Sequence, residues 1–221
     1  KSYEAKDIEV LEGLEPVRKR PGMYIGGIDD KAIHHLALEI IDNSMDEAIA
    51  GHADWVRISL LDYNLLKIED NGRGIPIDDH PKFPGKSALE IIVGTLHAGG
   101  KFSGSAYETS GGLHGVGISV VNALSESLEV TVIRDKKIYV QNYSRGKVIS
   151  NLKCLGKTTK KSGTSVKFKP DYEIFGSNFS FSAEKLFKEC QSKAFLLSGV
   201  KLEWNCNESL IKNDALKNKE I

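Results

Sequence analysis

Apolar and polar positions alternate along this chain with two periods. From Ala32 to Ala50 the sequence AIHHLALEIIDNSMDEAIA holds no Gly or Pro. Its apolar positions Ile33, Leu36, Ala37, Ile40, Met45 and Ala48, with Ser44 among them, recur at steps of three and four, which predicts a helix. A second stripe at the same spacing carries Glu39, Asp42, Asn43, Asp46 and Glu47. No Lys or Arg occurs between Ala32 and Val56. A solvated face mixes both signs, whereas four carboxylates and an amide on one side repel one another. The stripe therefore calls for neutralisation from elsewhere, by a basic side chain across the fold or by a divalent metal.

The period of two dominates elsewhere. Trp55–Leu61 alternates Val56, Ile58 and Leu60 against Arg57 and Ser59, and Leu65–Glu69 follows after the turn Asp62-Tyr63-Asn64, so these read as a hairpin. The second strand runs into Asp70-Asn71-Gly72-Arg73-Gly74-Ile75-Pro76, a tight loop that places a carboxylate at a strand end. Asp78–Lys86, DDHPKFPGK, is expected as a further loop. The segments LEVTVIRD, KKIYVQNYSRG, KVISNLKCLG and GTSVKFKP, separated at Asp135-Lys136, Arg145-Gly146 and Ser162-Gly163, predict an antiparallel meander, and Val200–Asn205 a last strand. Further helices are expected at Ser87–His97, Ile118–Leu124 and Ser182–Ser198. PVRKRPGMYIGG reads as ordered loop, in which Arg18-Lys19-Arg20 is either a phosphate-contacting patch or simply solvated. The segment Ala98–Gly117 has seven Gly and three Ser in twenty residues and reads as disordered or as a lid. It ends in Gly112-Leu113-His114-Gly115-Val116-Gly117, and glycines at a helix entry expose N–H groups suited to phosphate.

Bulk properties change this picture little. The chain has 221 residues, 40% hydrophobic and 27% charged, with 30 Lys and Arg against 30 Asp and Glu. Zero net charge argues against a whole-surface grip on nucleic acid, though not against a local patch. Cys154, Cys190 and Cys206 are far apart and read as reduced thiols of a cytoplasmic protein. No apolar run approaches membrane-spanning length. The start at Lys1 and the polar end LIKNDALKNKEI suggest a fragment of something longer. Two familiar phosphate loops are excluded. Gly85-Lys86-Ser87 would need Gly at position 80, which is His80, and G-x-x-G-x-G after a loop reverses the dinucleotide fingerprint.

Three patterns in order, E-x-x-x-N on a helix, D-x-G-x-G after a strand and G-x-x-G-x-G after a glycine-rich segment, resemble the ATPases that include type II topoisomerase B subunits, Hsp90, MutL and histidine kinases. GLEPVRKRPGMYIGG, IDNSMDEAIAGHA, EDNGRGIP, LHAGGKF and SGGLHGVGISVVNALS narrow the resemblance to the ATPase domain of bacterial gyrase and topoisomerase IV B subunits, and IDNSMDEA leans it toward topoisomerase IV. The resemblance covers essentially the whole chain.

It implies one GHKL (Bergerat) ATP-binding domain over residues 1–221, an α/β two-layer sandwich with a mixed, largely antiparallel sheet and helices on one face. It also implies ATP and Mg²⁺ as ligands, with Glu39 as general base and Asn43 on the metal. Asp70 would accept from the adenine amino group, with Thr164 assisting through water, and Gly74, Ile75 and Pro76 beside it. Lys101 and the backbone of Gly112, Leu113, His114, Gly115, Val116, Gly117 and Ile118 would enclose the phosphates. Tyr107 would line the pocket, Arg134 would edge its mouth, Arg73 would pair with Glu47, and Tyr3 would reach the nucleotide of a second copy. Expected partners are a topoisomerase A-type subunit in a heterotetramer, a second copy on ATP binding, and double-stranded DNA through the full enzyme, with no membrane. Three readings follow: an ATPase driving strand passage, a nucleotide-gated dimerisation module, or a kinase or chaperone of the same fold. RKRPGMYIG and LHAGGKF disfavour the last.

Overall fold

The computed structural model describes residues 11–96, 98, 117–196 and 199–221. Two short helices come first, α1 (Glu15–Lys19) and α2 (Gly22–Ile25), where the sequence predicts ordered loop. Pro16 sits in the first turn of α1, where its missing N–H costs nothing, and Gly26 ends α2 in a left-handed conformation. The central helix α3 spans Asp30–Ile49, starting two residues before the apolar periodicity because Asp29 caps it, its Oδ1 accepting from Ala32 N at 3.1 Å.

The strands are β1 (Trp55–Asp62), β2 (Leu65–Asp70), β3 (Asp79–His80), β4 (Phe83–Ser87), β5 (Ser125–Arg134), β6 (Lys137–Ser144), β7 (Lys147–Val148), β8 (Lys153–Lys157), β9 (Gly163–Pro170), β10 (Lys201–Cys206) and β11 (Lys219–Glu220). Four more α-helices, α4 (Ala88–Gly94), α5 (Gly117–Ala123), α6 (Tyr172–Phe175) and α7 (Ala183–Leu196), and two 3-10 turns, Glu208–Leu210 and Asp214–Leu216, complete the helices of the described residues. The main sheet runs β11-β10-β1-β2-β9-β5-β6-β7, with β8 also on β6. Only β1·β10 is parallel; the other pairs are antiparallel. The expected meander holds for β5-β6-β7 alone, because β9 inserts between β2 and β5. The segment Asp78–Lys86, expected as a loop, contains the β3-β4 hairpin with His80 opposite Phe83.

Alternation assigns the two faces. Leu202, Trp204, Val56, Ile58, Leu66, Ile68, Val166, Phe168, Val130 and Val132 are buried on the side covered by helices. Trp204, Ile58, Ile68, Val166 and Val130 fall in one register across five strands. Each such side chain contributes roughly 1.5–3 kcal/mol when fully buried. The opposite face is laced by ion pairs, Arg57 with Glu203 and Lys167 with Glu129 across neighbouring strands and Lys67 with Glu69 along β2. The architecture is therefore a two-layer α/β sandwich. No helix among the described residues is long and apolar enough to cross a membrane. Cys190 and Cys206 are buried free thiols, and Cys154 is an exposed one.

One buried carboxylate ties the helical layer to the sheet. Asp171 is fully buried and accepts from Arg145 Nε at 2.8 Å and from Glu173 N at 3.1 Å, while Arg18 Nη2 lies 2.8 Å from its Oδ2. Arg18 also donates to Ala123 O at 2.8 Å. Arg18 is thus held by partners inside the fold and is not simply solvated. Burial pushes the Asp171 carboxyl up, but the Arg145 guanidinium, the Glu173 N–H and Arg18 outweigh it and hold it below the usual carboxylate range. A depressed carboxylate stabilises the fold above its ordinary pKa, and that contribution is lost as pH falls through the depressed value. Asp171→Ala should lower the unfolding free energy at neutral pH by about 3 kcal/mol, since it removes the buried partner of two guanidinium groups and leaves them only the half-exposed Glu173 carboxylate. In denaturant titrations the gap to wild type should narrow below roughly pH 4.

Candidate functional site

The acidic stripe of α3 faces inward at one end of the sheet. Glu39 and Asp46 are buried, and Asp42, Asn43 and Glu47 are half-buried. The one-signed stripe predicts cations from elsewhere, and three elements supply positive or N–H groups. Arg73 forks onto Glu47, with Nη2 2.8 Å from Oε1 and Nε 3.2 Å from Oε2, and its own N–H donates to Oε2 at 2.9 Å. Lys193 of α7 pairs with Asp42. Glu39 Oε2 accepts from Gly117 N, the first residue of α5, at 3.0 Å. One turn before it, His35 Nε2 lies 3.3 Å from Glu39 Oε1.

Asp70 closes β2 and is 7% exposed. Its Oδ2 accepts from Ser44 Oγ at 2.8 Å and its Oδ1 from Gly72 N at 2.9 Å. Burial pushes this carboxyl up to about 6; the Ser44 and Gly72 bonds pull against that shift, and the Glu47 charge adds to it. Opposite Asp70 on β9 stands Thr164, whose Oγ1 accepts from Ile75 N at 3.3 Å. Arg134, at the end of β5, donates from Nη1 to Gly74 O at 2.8 Å. Asn71 fixes the other side of the loop, its Oδ1 accepting from Asp54 N and Trp55 N at 3.0 and 3.1 Å.

Two glycines allow this closeness. At Gly163 a Cβ would lie 2.3 Å from Asp70 O, a backbone atom that has no room to yield. Gly74 has φ +78° and would place a Cβ 2.8 Å from Ile133 O. Strand β9 and the loop after β2 can therefore pack together only without side chains at these points.

Among the predicted residues the structure gathers Glu39, Asn43, Glu47, Asp70, Arg73, Gly74, Ile75, Pro76, Gly117, Ile118, Arg134 and Thr164 around one end of the sheet, on α3, the loop after β2, the start of α5, β5 and β9. Tyr3, Lys101, Tyr107, Gly112, Leu113, His114, Gly115 and Val116 lie outside the described residues. Sequence reasoning missed Ser44, His35 and Gly163. Ser44 stands as a hydroxyl on an apolar stripe, and a buried hydroxyl needs a partner. His35 stands at i−4 from Glu39. Nothing in the local sequence marks Gly163, whose constraint is a contact with a residue far along the chain. Among the described residues, no group of three or more His, Cys, Asp or Glu is arranged to hold a metal ion.

Comparison with known proteins agrees with this geometry. The chain is 58% identical over 212 residues to the B subunit of DNA topoisomerase 4 from Bartonella bacilliformis, covering 96% of this chain and 31% of that protein. It is 58% identical over 213 residues to the corresponding topoisomerase 4 protein of Caulobacter vibrioides, covering 96% of this chain and 30% of that protein. It is 54% identical over 202 residues to the B subunit of DNA gyrase from Thermotoga maritima, covering 91% of this chain and 31% of that protein. The chain thus spans about a third of the length of these relatives. The sequence profile of the histidine kinase-, DNA gyrase B- and HSP90-like ATPases matches residues 28–174, which takes in α3, the Asp70 loop, the start of α5 and β9. With well over half of its length matched, and with the matched part building the buried-carboxylate site, the chain belongs to the histidine kinase-, DNA gyrase B- and HSP90-like ATPase family.

Proposed function

We propose that residues 1–221 form the ATP-binding and ATP-hydrolysing domain of a bacterial type II topoisomerase B subunit, of the topoisomerase IV kind rather than gyrase. The observation that carries this reading is the Asp70 cradle beside α3. A desolvated carboxylate, held by Ser44 and Gly72 and flanked by Thr164, keeps acceptor capacity for an exocyclic amine, as adenine has and guanine lacks at that position. Glu39 and Asn43 lie one helical turn apart on the same side of α3, so a base and a metal ligand face one ligand. Higher identity to the topoisomerase 4 proteins, 58% against 54% for the Thermotoga gyrase protein, supports topoisomerase IV.

In this reading Asp70 orients the adenine, with Thr164 bridging through water. Gly74, Ile75, Pro76 and Arg134 form the pocket rim. Glu39 takes the proton from the water that attacks the γ-phosphate. Tyr107, Lys101 and residues Gly112 to Ile118 contribute phosphate and pocket contacts, and Tyr3 reaches a second copy's nucleotide. Asn43 suits Mg²⁺ because its amide oxygen is a hard, half-exposed donor, and that ion takes few protein ligands beside waters and phosphates. Bound there, Mg²⁺ would neutralise phosphate charge. Positioning and charge neutralisation are most of what phosphoryl transfer needs. The whole protein would act in the cytoplasm with an A-type subunit, dimerise on ATP and pass double-stranded DNA. Assaying the full-length protein with its A-type partner separates the two enzymes, since only gyrase introduces negative supercoils.

One observation favours the alternative of a nucleotide-gated dimerisation module with little turnover. Glu39 already accepts from the Gly117 N–H, which occupies one oxygen of the base. A steady-state phosphate-release assay decides between the two.

Three outcomes are expected. Glu39→Ala should keep ATP affinity in calorimetry while phosphate release falls by about 10²–10⁴. Asn43→Ala should weaken nucleotide binding with Mg²⁺ far more than without it; equal losses would remove Asn43 from the metal shell. Because only ionised Asp70 serves fully as acceptor, ATP affinity should fall about tenfold per unit as pH drops below about 6. The same raised carboxyl acts oppositely on the apo fold: its contribution to stability is present below roughly pH 4 and is lost as pH rises through about 6.

A further inference from the structure

One stretch of the chain breaks its charge balance. From Arg134 to Gly163 there are nine Lys and Arg and a single acid, Asp135, so thirty residues carry +8 in a chain whose net charge is zero. Folding gathers six of these lysines at one end of the sheet. The left-handed turn Asp135-Lys136, with φ of 50° and 57°, projects between β5 and β6. Lys137 then faces Lys157 in register across β6·β8, and Lys153 faces Val140. Thr158 N donates to Lys136 O at 2.9 Å, which fastens the connection carrying Lys160 and Lys161 to the same turn. All six are exposed.

The lysines on the open sheet face are treated differently by the fold. Lys67, Lys167, Lys169 and Lys201 each have a glutamate partner. Lys136, Lys137, Lys153, Lys157, Lys160 and Lys161 form no ion pair among the described residues. The Lys137–Lys157 pair is moreover a like-charge cross-strand pair, which by itself destabilises a sheet. Lysines on an edge strand guard it against pairing with other chains. That accounts for Lys153 and Lys157 on β8, but not for Lys136, Lys160 and Lys161, which lie in connections.

We infer that this lysine-rich end of the sheet is a docking surface for the phosphate backbone of duplex DNA. The polyanion surface stands on the observations above; the choice of DNA rests on the topoisomerase reading. Chemistry favours it over other anions. Lysines act as point charges on phosphate, whereas recognition of acidic or phosphorylated peptides relies on the planar Arg fork. No exposed aromatic lies between Arg134 and Gly163 to stack single-stranded bases. Lys153 to Lys157 spans about 13 Å of edge strand, along which a duplex presents roughly eight charges. Contacts of this kind position DNA without reading its sequence. The surface adjoins the candidate nucleotide pocket, since Arg134 holds Gly74 and Gly163 packs on Asp70.

The test uses this chain and a fluorescent duplex of about 30 base pairs, a length set by the phosphate spacing above. Anisotropy is read from about 50 to 200 mM salt, the range over which phosphate contacts are lost. Wild type should bind with a log–log salt slope of about −5, roughly −0.9 for each of the six lysines. Lys153→Gln/Lys157→Gln/Lys160→Gln/Lys161→Gln should lose at least about tenfold in affinity at the lowest salt, with the slope reduced by about 3.6, while ATP affinity by calorimetry is unchanged. The loop-only variant Lys160→Gln/Lys161→Gln should reduce the slope by about 1.8. No DNA binding by wild type at low salt, or equal binding and slope in the variants, would overturn the inference. So would capture of a polyglutamate peptide in place of DNA. Failure of wild type to bind ATP would count against the nucleotide reading, while the DNA titration would still decide this one.

Discussion

A helix with its carboxylates turned toward the protein interior dominates this structure. Glu39, Asp42, Asp46 and Glu47 lie on one side of α3, and no cation stands near them in sequence. Leaving such groups buried without partners would cost several kcal/mol each. Their partners come from far along the chain: Arg73 is 26 residues from Glu47, Gly117 is 78 from Glu39 and Lys193 is 151 from Asp42. The loop after β2, the start of α5 and the end of α7 each meet the helix through one of these contacts. The contacts that neutralise α3 are therefore the same ones that assemble the site. Fold and candidate chemistry share one set of electrostatic demands, and neither is laid over the other.

Much of this is legible from periodicity. The central helix, the β1-β2 hairpin, the turns Asp135-Lys136 and Arg145-Gly146 and the strand expected at Val200–Asn205 follow from local steps of three, four or two, and appear within a few residues of their expected bounds, although that strand is not the last, since the two-residue β11 follows it. The one-signed stripe correctly demands cations, and Arg73 on Glu47 meets that demand. What local pattern does not carry is pairing between distant strands. Strand β9 has the same alternation whether it continues a meander or inserts between β2 and β5, so its true position is invisible in the sequence. The helices α1 and α2 are only five and four residues long, too short for a period to show, and Pro and Gly there are equally the marks of loops. Asp46 shares the period of the acidic stripe yet is fully buried, because the width of the buried arc of a helix depends on what packs over it.

At the site, burial works in two directions on Asp70. Removing water raises the carboxyl toward neutral pH and would weaken it as a charged acceptor, while the Ser44 hydroxyl and the Gly72 N–H return part of that loss. The result is a carboxylate that is ionised at neutral pH, fixed in orientation and shielded from bulk solvent, where a hydrogen bond to ligand counts for more than at an exposed acid. The glycine at 163 belongs to the same device, since any side chain there would push β9 off the Asp70 carbonyl.

The proposed role of Asp70 is to accept a hydrogen bond from the 6-amino group of adenine. Calorimetric titration of the unmodified chain with ATP and with inosine triphosphate, which lacks the 6-amino group, tests it without disturbing the protein. A lost hydrogen bond to a buried charge corresponds to about 1.5–3 kcal/mol, so ATP should bind roughly 10–150-fold more tightly than inosine triphosphate at about pH 7.5. Equal affinity for the two nucleotides would contradict that role for Asp70.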